Sequence, residues 1–165
     1  MNQYAVQSFK ETIYECHKHI EKITVAKQHL SKYMPLTVER YSSLNDIDMS
    51  FVDQLIFRFS KLQDTLGEKL FPSVLTLSEE DVKRKTFVDI LNRLEELDII
   101  EKNEWLQLRE IRNEIAHEYS FNTEELVESI TNIYNTCNDL LKFFYDVYEF
   151  CQKNFTFLKP TNGYA

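Results

Sequence analysis

The residues best suited to chemistry in this chain are an arginine and a histidine close together in segment 112–119, RNEIAHEY. Arg112 is a permanent cation whose planar guanidinium can donate paired hydrogen bonds to a phosphate. His117 has the one type of side chain whose unperturbed pKa allows proton exchange near neutral pH. Together they are sufficient for phosphodiester cleavage without a metal ion. The sequence therefore predicts neither a metal site nor a cofactor.

Helical geometry separates these two positions if the segment is a helix. Five residues along a helix correspond to about 140° around its axis and a rise of about 7.5 Å. Arg109, Asn113 and His117 share one polar stripe, whereas Arg112 lies on another side. A helix that ends near His117 could bring Arg112 and His117 to one phosphate, and so could two chains that each supply one of these residues. We favour the homodimer, because it also concentrates positive charge at one cleft.

Four residues in and near the segment have an expected role in such a cleft. His117 would act as general base or acid at a ribose 2′-OH. Arg112 would stabilise the negative charge that grows on the phosphoryl oxygens. Asn113 would orient the imidazole or the substrate, and Arg109 would support the site from the same polar stripe. A nucleophile supplied by the substrate's own 2′-OH would restrict the activity to RNA.

A structural interpretation of the same residues is also open. Arg112 would then pair with Glu110, Glu114 or another carboxylate, and His117 would be a histidine at a helix terminus, where a cation is favourable. The net charge of −8 disfavours broad nucleic-acid binding, because proteins that bind nucleic acids along an extended surface usually carry a basic face. The basic run at 83–85 is more typical of a solvated loop. RNA binding would have to be confined to a small cluster of arginines.

Composition narrows the class of protein. With 165 residues, 43% of them hydrophobic, the chain is long enough for a single domain with its own core. Two glycines and three prolines are too few for the many turns of an all-β protein. Three cysteines without CxxC spacing favour a reducing compartment. The polar N-terminus and the absence of a long apolar run predict neither a signal peptide nor a membrane span, so a cytoplasmic location is expected.

Apolar residues at 3–4 spacing predict an all-α fold, an antiparallel up-and-down bundle of about five helices with long first and last members. The first helix is expected over about 3–33, and the second is expected to end before Pro72. A loop should follow over 72–81, then a shorter helix near 87–97. Asn103 is expected to cap the helix that carries the motif, and Asn122 to cap the last one. We assign 1–158 to one domain and 159–165 to a disordered tail.

The segment 112–119 resembles the Arg-x4-His-x-Tyr signature of the HEPN superfamily, and specifically of HepT-like toxin ribonucleases. Asn113 fits the polar residue that commonly follows the arginine in that family. The segments FRFSKLQDTLGEKLFP (57–72) and TFVDILNRLEELDII (86–100) are similar to one branch of these proteins. The resemblance extends from the second helix through Tyr119, and the first and last helices share only their amphipathic character.

The resemblance implies a HEPN-like bundle that dimerises and brings the motifs of both chains to one cleft. It implies a toxin that is a metal-independent endoribonuclease, with Arg112 and His117 as catalytic residues. Its partner would be an MntA-like nucleotidyltransferase antitoxin, which in this family adds AMP units to a motif tyrosine, here Tyr119. The alternative within the same superfamily is a non-catalytic adaptor that binds a nucleotidyltransferase and helps to hold its nucleotide or substrate.

Overall fold

A computed structural model describes residues 2–117 and 122–158, with the side chains of Ala116 and His117 outside the description. The described residues contain α, 3-10 and π helices and no strand, which confirms the predicted all-α bundle. Five of the α helices have ten residues or more, and the longest are the first, with 28, and the last, with 32. The helices are α1 (Gln3–Leu30), α2 (Val38–Ser42), α3 (Asp46–Thr65), α4 (Phe71–Leu77), α5 (Phe87–Glu96), α6 (Lys102–His117) and α7 (Thr123–Asn154).

Helix α1 packs mainly against α3 and runs antiparallel to both α3 and α7. Gln54 of α3 donates to the Lys22 carbonyl of α1, and Thr65, further along α3, donates to Glu15, which comes earlier in α1. The two helices therefore run in opposite directions. The same reversal relates α1 to α7. Lys27 contacts Tyr134 and Asn138, whereas the ring of Phe9 meets that of Phe155, just beyond α7. These pairings give the up-and-down arrangement that the sequence predicts.

Side-chain caps fix where several helices begin. The Asn45 carboxamide oxygen accepts the Asp48 backbone N–H at 2.8 Å at the start of α3. Thr86 and Asp89 form a reciprocal pair at the start of α5, each side chain accepting the other's backbone N–H. The predicted cap at Asn122 is present, because its side chain accepts the Glu125 N–H. Each cap satisfies a backbone donor that a helix leaves without a partner.

The prediction that the second helix ends before Pro72 is wrong. The chain stays helical from Asp46 to Leu77, because residues 66–70 form a π-helical segment between α3 and α4. The Phe71 N–H donates to the carbonyl of Leu66, five residues back. This wider turn leads into α4, and Pro72, which has no N–H to donate, lies directly after it in the first turn of α4. The region 72–81, expected to be a loop, is therefore helical over its first six residues.

Two further local features differ from the expectation. Helix α6 begins at Lys102, so Asn103 lies inside its first turn and is not the cap. The carboxylate of Glu95 accepts the Lys102 backbone N–H at 2.8 Å instead, across the connection from α5. The short helix α2, capped by Thr37, was not predicted at all. Five residues carry too little periodicity to be recognised in a sequence.

One continuous core fills the bundle, built from the apolar faces of the long helices. Its largest fully buried side chains are aromatic: Trp105, Phe9, Phe59, Phe71 and Phe144. All three cysteines are free and buried, and burial raises the pKa of each thiol to about 12. None of the described helices is long and apolar enough to span a lipid bilayer.

A buried histidine links α1 to α3. His19 is 7% exposed, and Arg58 of α3 donates to its Nδ1 at 3.2 Å, which requires this nitrogen to be unprotonated. Burial, reinforced by the charge of Arg58, lowers the pKa of His19, although Glu15 opposes that shift. The neutral ring is therefore the form that the folded protein favours.

We expect this arrangement to make the folded protein less stable in mild acid. The unfolded chain binds a proton at His19 near pH 6.5, and the folded chain does so only at lower pH. The contribution of the neutral His19 ring to the free energy of unfolding is thus complete above about pH 6.5, and it declines as the pH falls toward the folded-state pKa. It amounts to about 1.4 kcal/mol for each unit by which folding lowers that pKa. Urea unfolding of wild type and His19→Gln at about pH 7.5 and about pH 5.5 measures it.

The control for this measurement is His17→Gln, since His17 is exposed on the same helix. The His17 variant should lose as much stability on acidification as wild type does, whereas the His19 variant should lose less. Equal losses in all three proteins would contradict the assignment.

Candidate functional site

The motif lies at the C-terminal end of α6, whose described backbone is helical through His117. Arg112 and His117 are therefore on one helix, and their positions are about 140° apart around its axis. Asn113 is exposed, and its carboxamide oxygen accepts a bond from Arg112 at 3.3 Å. The side chain of His117 and all of Tyr119 lie outside the described residues, so their predicted roles stay predictions.

Arg112 is held by a carboxylate of another helix. Its Nη2 lies 3.1 Å from Asp64 of α3, and both side chains are about one-third exposed. The structural interpretation of the sequence correctly expected a carboxylate partner, but named Glu110 and Glu114 on the same helix first. Because both members of the pair are partly solvated, the pair orients Arg112 more than it stabilises the fold.

A cavity of about 270 Å³ opens beside this ion pair, between α3, the π-helical segment and α6. We call it the α3–α6 cavity, and its lining residues are Gln63, Asp64, Gly67, Glu68, Phe87, Trp105, Arg109 and Arg112. Two of the predicted site residues, Arg109 and Arg112, therefore share its wall. The guanidinium of Arg109 lies over the ring of Phe87, 4.7 Å from its centre.

Gly67 keeps the cavity wall close to two aromatic rings. A Cβ at this position would lie 3.2 Å from Cζ2 of Trp105 and 3.3 Å from Cε2 of Phe87. Those distances are shorter than ordinary carbon contacts of about 3.5–4.0 Å. A side chain here would displace a ring, so the absence of one maintains the shape of the cavity. The π-helical turn that carries Gly67 belongs to a class often found at functional sites.

Two donor nitrogens, in residues that line the cavity, are closed to solvent and have no hydrogen-bond partner within the described structure. They are Nε2 of Gln63, in a residue 4% exposed, and Nε1 of Trp105, in a residue 1% exposed. Buried N–H groups without partners are rare in folded proteins, because burial removes their bonds to water. The cavity lining therefore combines two arginines and two carboxylates with an amide and an indole whose N–H groups the open space does not reach.

The sequence prediction missed every cavity residue that comes from α3 and the π-helical segment. Asp64 is 48 positions from Arg112, and such a distant contact leaves no periodic signal. Gln63 did leave one, since it follows Phe59 by four residues and precedes Leu66 by three, which places an amide within the apolar seam of α3. A polar residue at a position of the apolar seam indicates that its side chain is buried among the core residues and is not an ordinary surface group.

Another cavity, of about 340 Å³, lies between the α5–α6 connection and α7. Its lining is acidic and includes Asp98, Glu101, Glu104, Asp139 and Asp146, with Lys142 as the only basic residue. A phosphate would be repelled there, so we assign the candidate site to the α3–α6 cavity. No group of three or more metal-ligating side chains occurs in the described parts of the chain.

Comparison of the chain with protein-family models, with curated proteins and with solved structures yields no match. The functional assignment therefore depends on the residues and on their geometry.

Proposed function

We propose that this protein is a metal-independent endoribonuclease of the HEPN class, the toxin of a toxin–antitoxin pair, and that it acts as a homodimer. The observation that carries the proposal is the position of Arg112. This motif arginine lines a cavity together with Arg109, and it is held by one carboxylate in a partly solvated pair. Two guanidinium groups at one cavity give an acidic protein a local site for phosphate.

The proposed reaction uses the substrate's own hydroxyl as nucleophile. His117 removes the proton from the ribose 2′-OH as the 2′ oxygen attacks the adjacent phosphorus. The bond from phosphorus to the 5′ oxygen breaks, and that oxygen takes up a proton, which leaves a 2′,3′-cyclic phosphate and a 5′-hydroxyl. Arg112 leaves Asp64 for the phosphoryl oxygens, where it stabilises the growing negative charge.

The dimer follows from the helical separation of the two motif positions. Because α6 places Arg112 and His117 on different sides, a second chain would supply the histidine that faces a given arginine. Two copies would also bring four arginines from positions 109 and 112 to one cleft. That local charge supports RNA binding despite the overall excess of acidic residues.

The test is cleavage of single-stranded RNA by the purified protein. We expect wild type to cleave RNA equally well with and without a chelator, and His117→Ala to lose about 10²–10⁴-fold in rate, the usual contribution of a general acid or base. Loss of wild-type activity on addition of EDTA would show that a metal ion takes part. Equal activity of wild type and the histidine variant would remove His117 from the mechanism.

Control of the toxin would act through Tyr119 and a nucleotidyltransferase antitoxin. An AMP group on Tyr119 would place an anionic phosphate near Arg112 and so compete with RNA for its guanidinium. After co-expression with such a partner, the intact mass of the protein should increase by one or more AMP units, and that of Tyr119→Phe should not. If the mass of wild type does not increase, Tyr119 is not the point of control, and the antitoxin would act by covering the site.

A non-catalytic adaptor for a nucleotidyltransferase is the second candidate. The Arg112–Asp64 pair supports this candidate, because an arginine whose charge is already neutralised by a carboxylate needs no catalytic role and can serve a binding surface. An adaptor would form a stable complex with the nucleotidyltransferase and would cleave no RNA at any protein concentration. The cleavage experiment therefore separates the two candidates.

A further inference from the structure

We propose that the outward face of α3 is a binding tract for single-stranded RNA that leads to the α3–α6 cavity. We call it the α3 tract and define it by Phe57, Arg58 and Lys61 of α3 together with Lys22 of α1. The tract deepens the proposed function and rests on it in one respect, since RNA is taken as the ligand. It would hold the strand beside the site of cleavage.

The cations of the tract lie on neighbouring turns of α1 and α3. Arg58 donates to Nδ1 of His19, and one turn further along α1 the carbonyl of Lys22 accepts from Gln54. Besides burial and the charge of Arg58, the charge of Lys61 lowers the pKa of His19, so Lys61 lies close to the same ring. Three cationic residues are therefore grouped along one stretch of the α1–α3 contact.

The tract keeps its positive charge, although the chain as a whole carries a net charge of −8. Within the described residues, no carboxylate forms an ion pair with Lys22, Arg58 or Lys61. Asp53, one turn before Phe57, is exposed and offsets this charge in part. Other carboxylates on nearby turns are engaged elsewhere, in the pairs Glu15–Lys69, Glu21–Lys18 and Asp64–Arg112. Grouped cations repel one another, so an anionic ligand would stabilise them.

Phe57 presents an aromatic ring to solvent beside these cations. It lies two residues from the fully buried Leu55 and Phe59, so it points about 160° away from each of them. The cationic groups of Arg58 and Lys61 lie 5.5 and 5.8 Å from the ring centre, and the side chain is still 52% exposed. Cations that hold the backbone, with aromatic rings on which bases stack, are typical of proteins that bind single-stranded nucleic acids.

The tract continues along α3 to the α3–α6 cavity. Phe57, Lys61 and Asp64 follow one another at spacings of four and three residues, which places them on one face of the helix. Asp64, the carboxylate that holds Arg112, lies about 10 Å beyond Phe57 along the helix axis. A strand on the tract would therefore pass directly to the guanidinium of Arg112. This continuity favours RNA over a membrane surface, since RNA supplies a phosphodiester at the motif.

Removing the two lysines should weaken RNA binding and reduce its dependence on salt. The full-length His117→Ala protein is the parent, so that the RNA stays intact, and anisotropy of a labelled strand of about 12 nucleotides measures the affinity. Each phosphate that a cation neutralises on a single strand contributes about 0.7 to the slope of log affinity against log salt. Lys22→Gln combined with Lys61→Gln should therefore reduce this slope by about 1.4 and lower the affinity by about tenfold or more at low salt.

The control for the lysines removes the same charge from another surface. Lys142→Gln combined with Lys153→Gln takes two lysines from α7, where each forms an ion pair with a carboxylate. This double variant should keep the affinity and the slope of the parent. If it lost as much affinity as the double variant of the tract, the cause would be the net charge of the protein, and the tract would be overturned.

Replacing Phe57 should have a different signature, because stacking releases no counterions. Phe57→Leu keeps an apolar side chain but removes the ring, so it should weaken binding by about tenfold and leave the salt slope unchanged. Phe57→Trp keeps an aromatic face and should bind at least as tightly as the parent. The exposure of Phe57 means that neither change removes a core contact.

The outcomes separate the tract from the cleavage activity. Weaker binding by the tract variants, when wild type cleaves no RNA, would support the tract and overturn the ribonuclease. Affinity and slope equal to those of the parent in all tract variants would overturn the tract even if wild type cleaves RNA. Binding of the parent to vesicles of anionic lipid but not to RNA would assign this face to a membrane surface and would also overturn the proposal.

Discussion

Replacing Arg112 with alanine should lower the rate of RNA cleavage by about 10²–10³-fold, the usual cost of removing one group that stabilises charge in a transition state. The protein should still fold, because the Arg112–Asp64 pair is about one-third exposed and contributes little to stability. Arg112→Lys should remain strongly impaired, since an ammonium group keeps the charge but loses the planar fork. Cleavage of a labelled RNA under single-turnover conditions measures these rates.

Mixing two inactive variants tests whether the site is shared between chains. A dimer has two sites in its shared cleft, each with an arginine from one chain and a histidine from the other. In a heterodimer of Arg112→Ala and His117→Ala, one of these two sites has both residues intact. Random exchange makes half of the dimers mixed, and each has one of its two sites restored, so about a quarter of wild-type activity should return. If each chain supplied both residues of its own site, the mixture would stay inactive.

The control for these variants is Arg84→Ala, which removes one positive charge from the exposed loop before α5. It should cleave RNA at the wild-type rate. If it were as impaired as Arg112→Ala, the effect would come from the net charge of the protein and not from the site.

The largest effect on stability is expected for Phe59→Ala in α3. Phe59 is fully buried in the core, on the helix that packs against α1 and α7. Truncating a buried phenylalanine removes its transfer free energy and leaves a void, at a cost of about 3–5 kcal/mol. Against a total of about 5–15 kcal/mol for a typical domain, this is a large fraction. Urea unfolding monitored by circular dichroism measures the change.

Phe57→Ala is the matched control, two residues away on the same helix. Phe57 is 52% exposed, and its contacts are with the cationic groups of Arg58 and Lys61. Its truncation should cost no more than about 1 kcal/mol. Similar losses for both variants would mean that α3 does not bury the face described above.

The helices could be predicted well because periodicity and caps are local signals. The apolar seams of α1 and α7 and the cap at Asn122 were recognised from neighbouring residues. The errors arose where the local rule had an exception. Proline normally ends a helix, but here a π-helical turn directly precedes Pro72 and the helix continues through it.

The site could be predicted only in part, because its two halves come from distant segments. Arg109 and Arg112 were identified from the motif, and the structure places both on the α3–α6 cavity. Asp64 and Glu68 were not identified, since their approach to α6 depends on how α3 packs in the bundle. Helical geometry alone did predict that Arg112 and His117 point to different sides, and the described backbone of α6 keeps that geometry.

The π-helical turn also sets the phase of everything that follows it in the same helix. A π turn holds one residue more than an α-helical turn, so removing one residue from 66–70 would restore a regular α helix. The residues that follow would keep their phase, so Val74 and Leu75 would remain buried. A deletion within the regular part of α3 would instead rotate every later residue of the helix by about 100°. Single-residue deletions should therefore be better tolerated at the exposed residues of this turn than in the regular part of α3, which makes the turn the one stretch of the long helix that can lose a residue without moving the core face of α4.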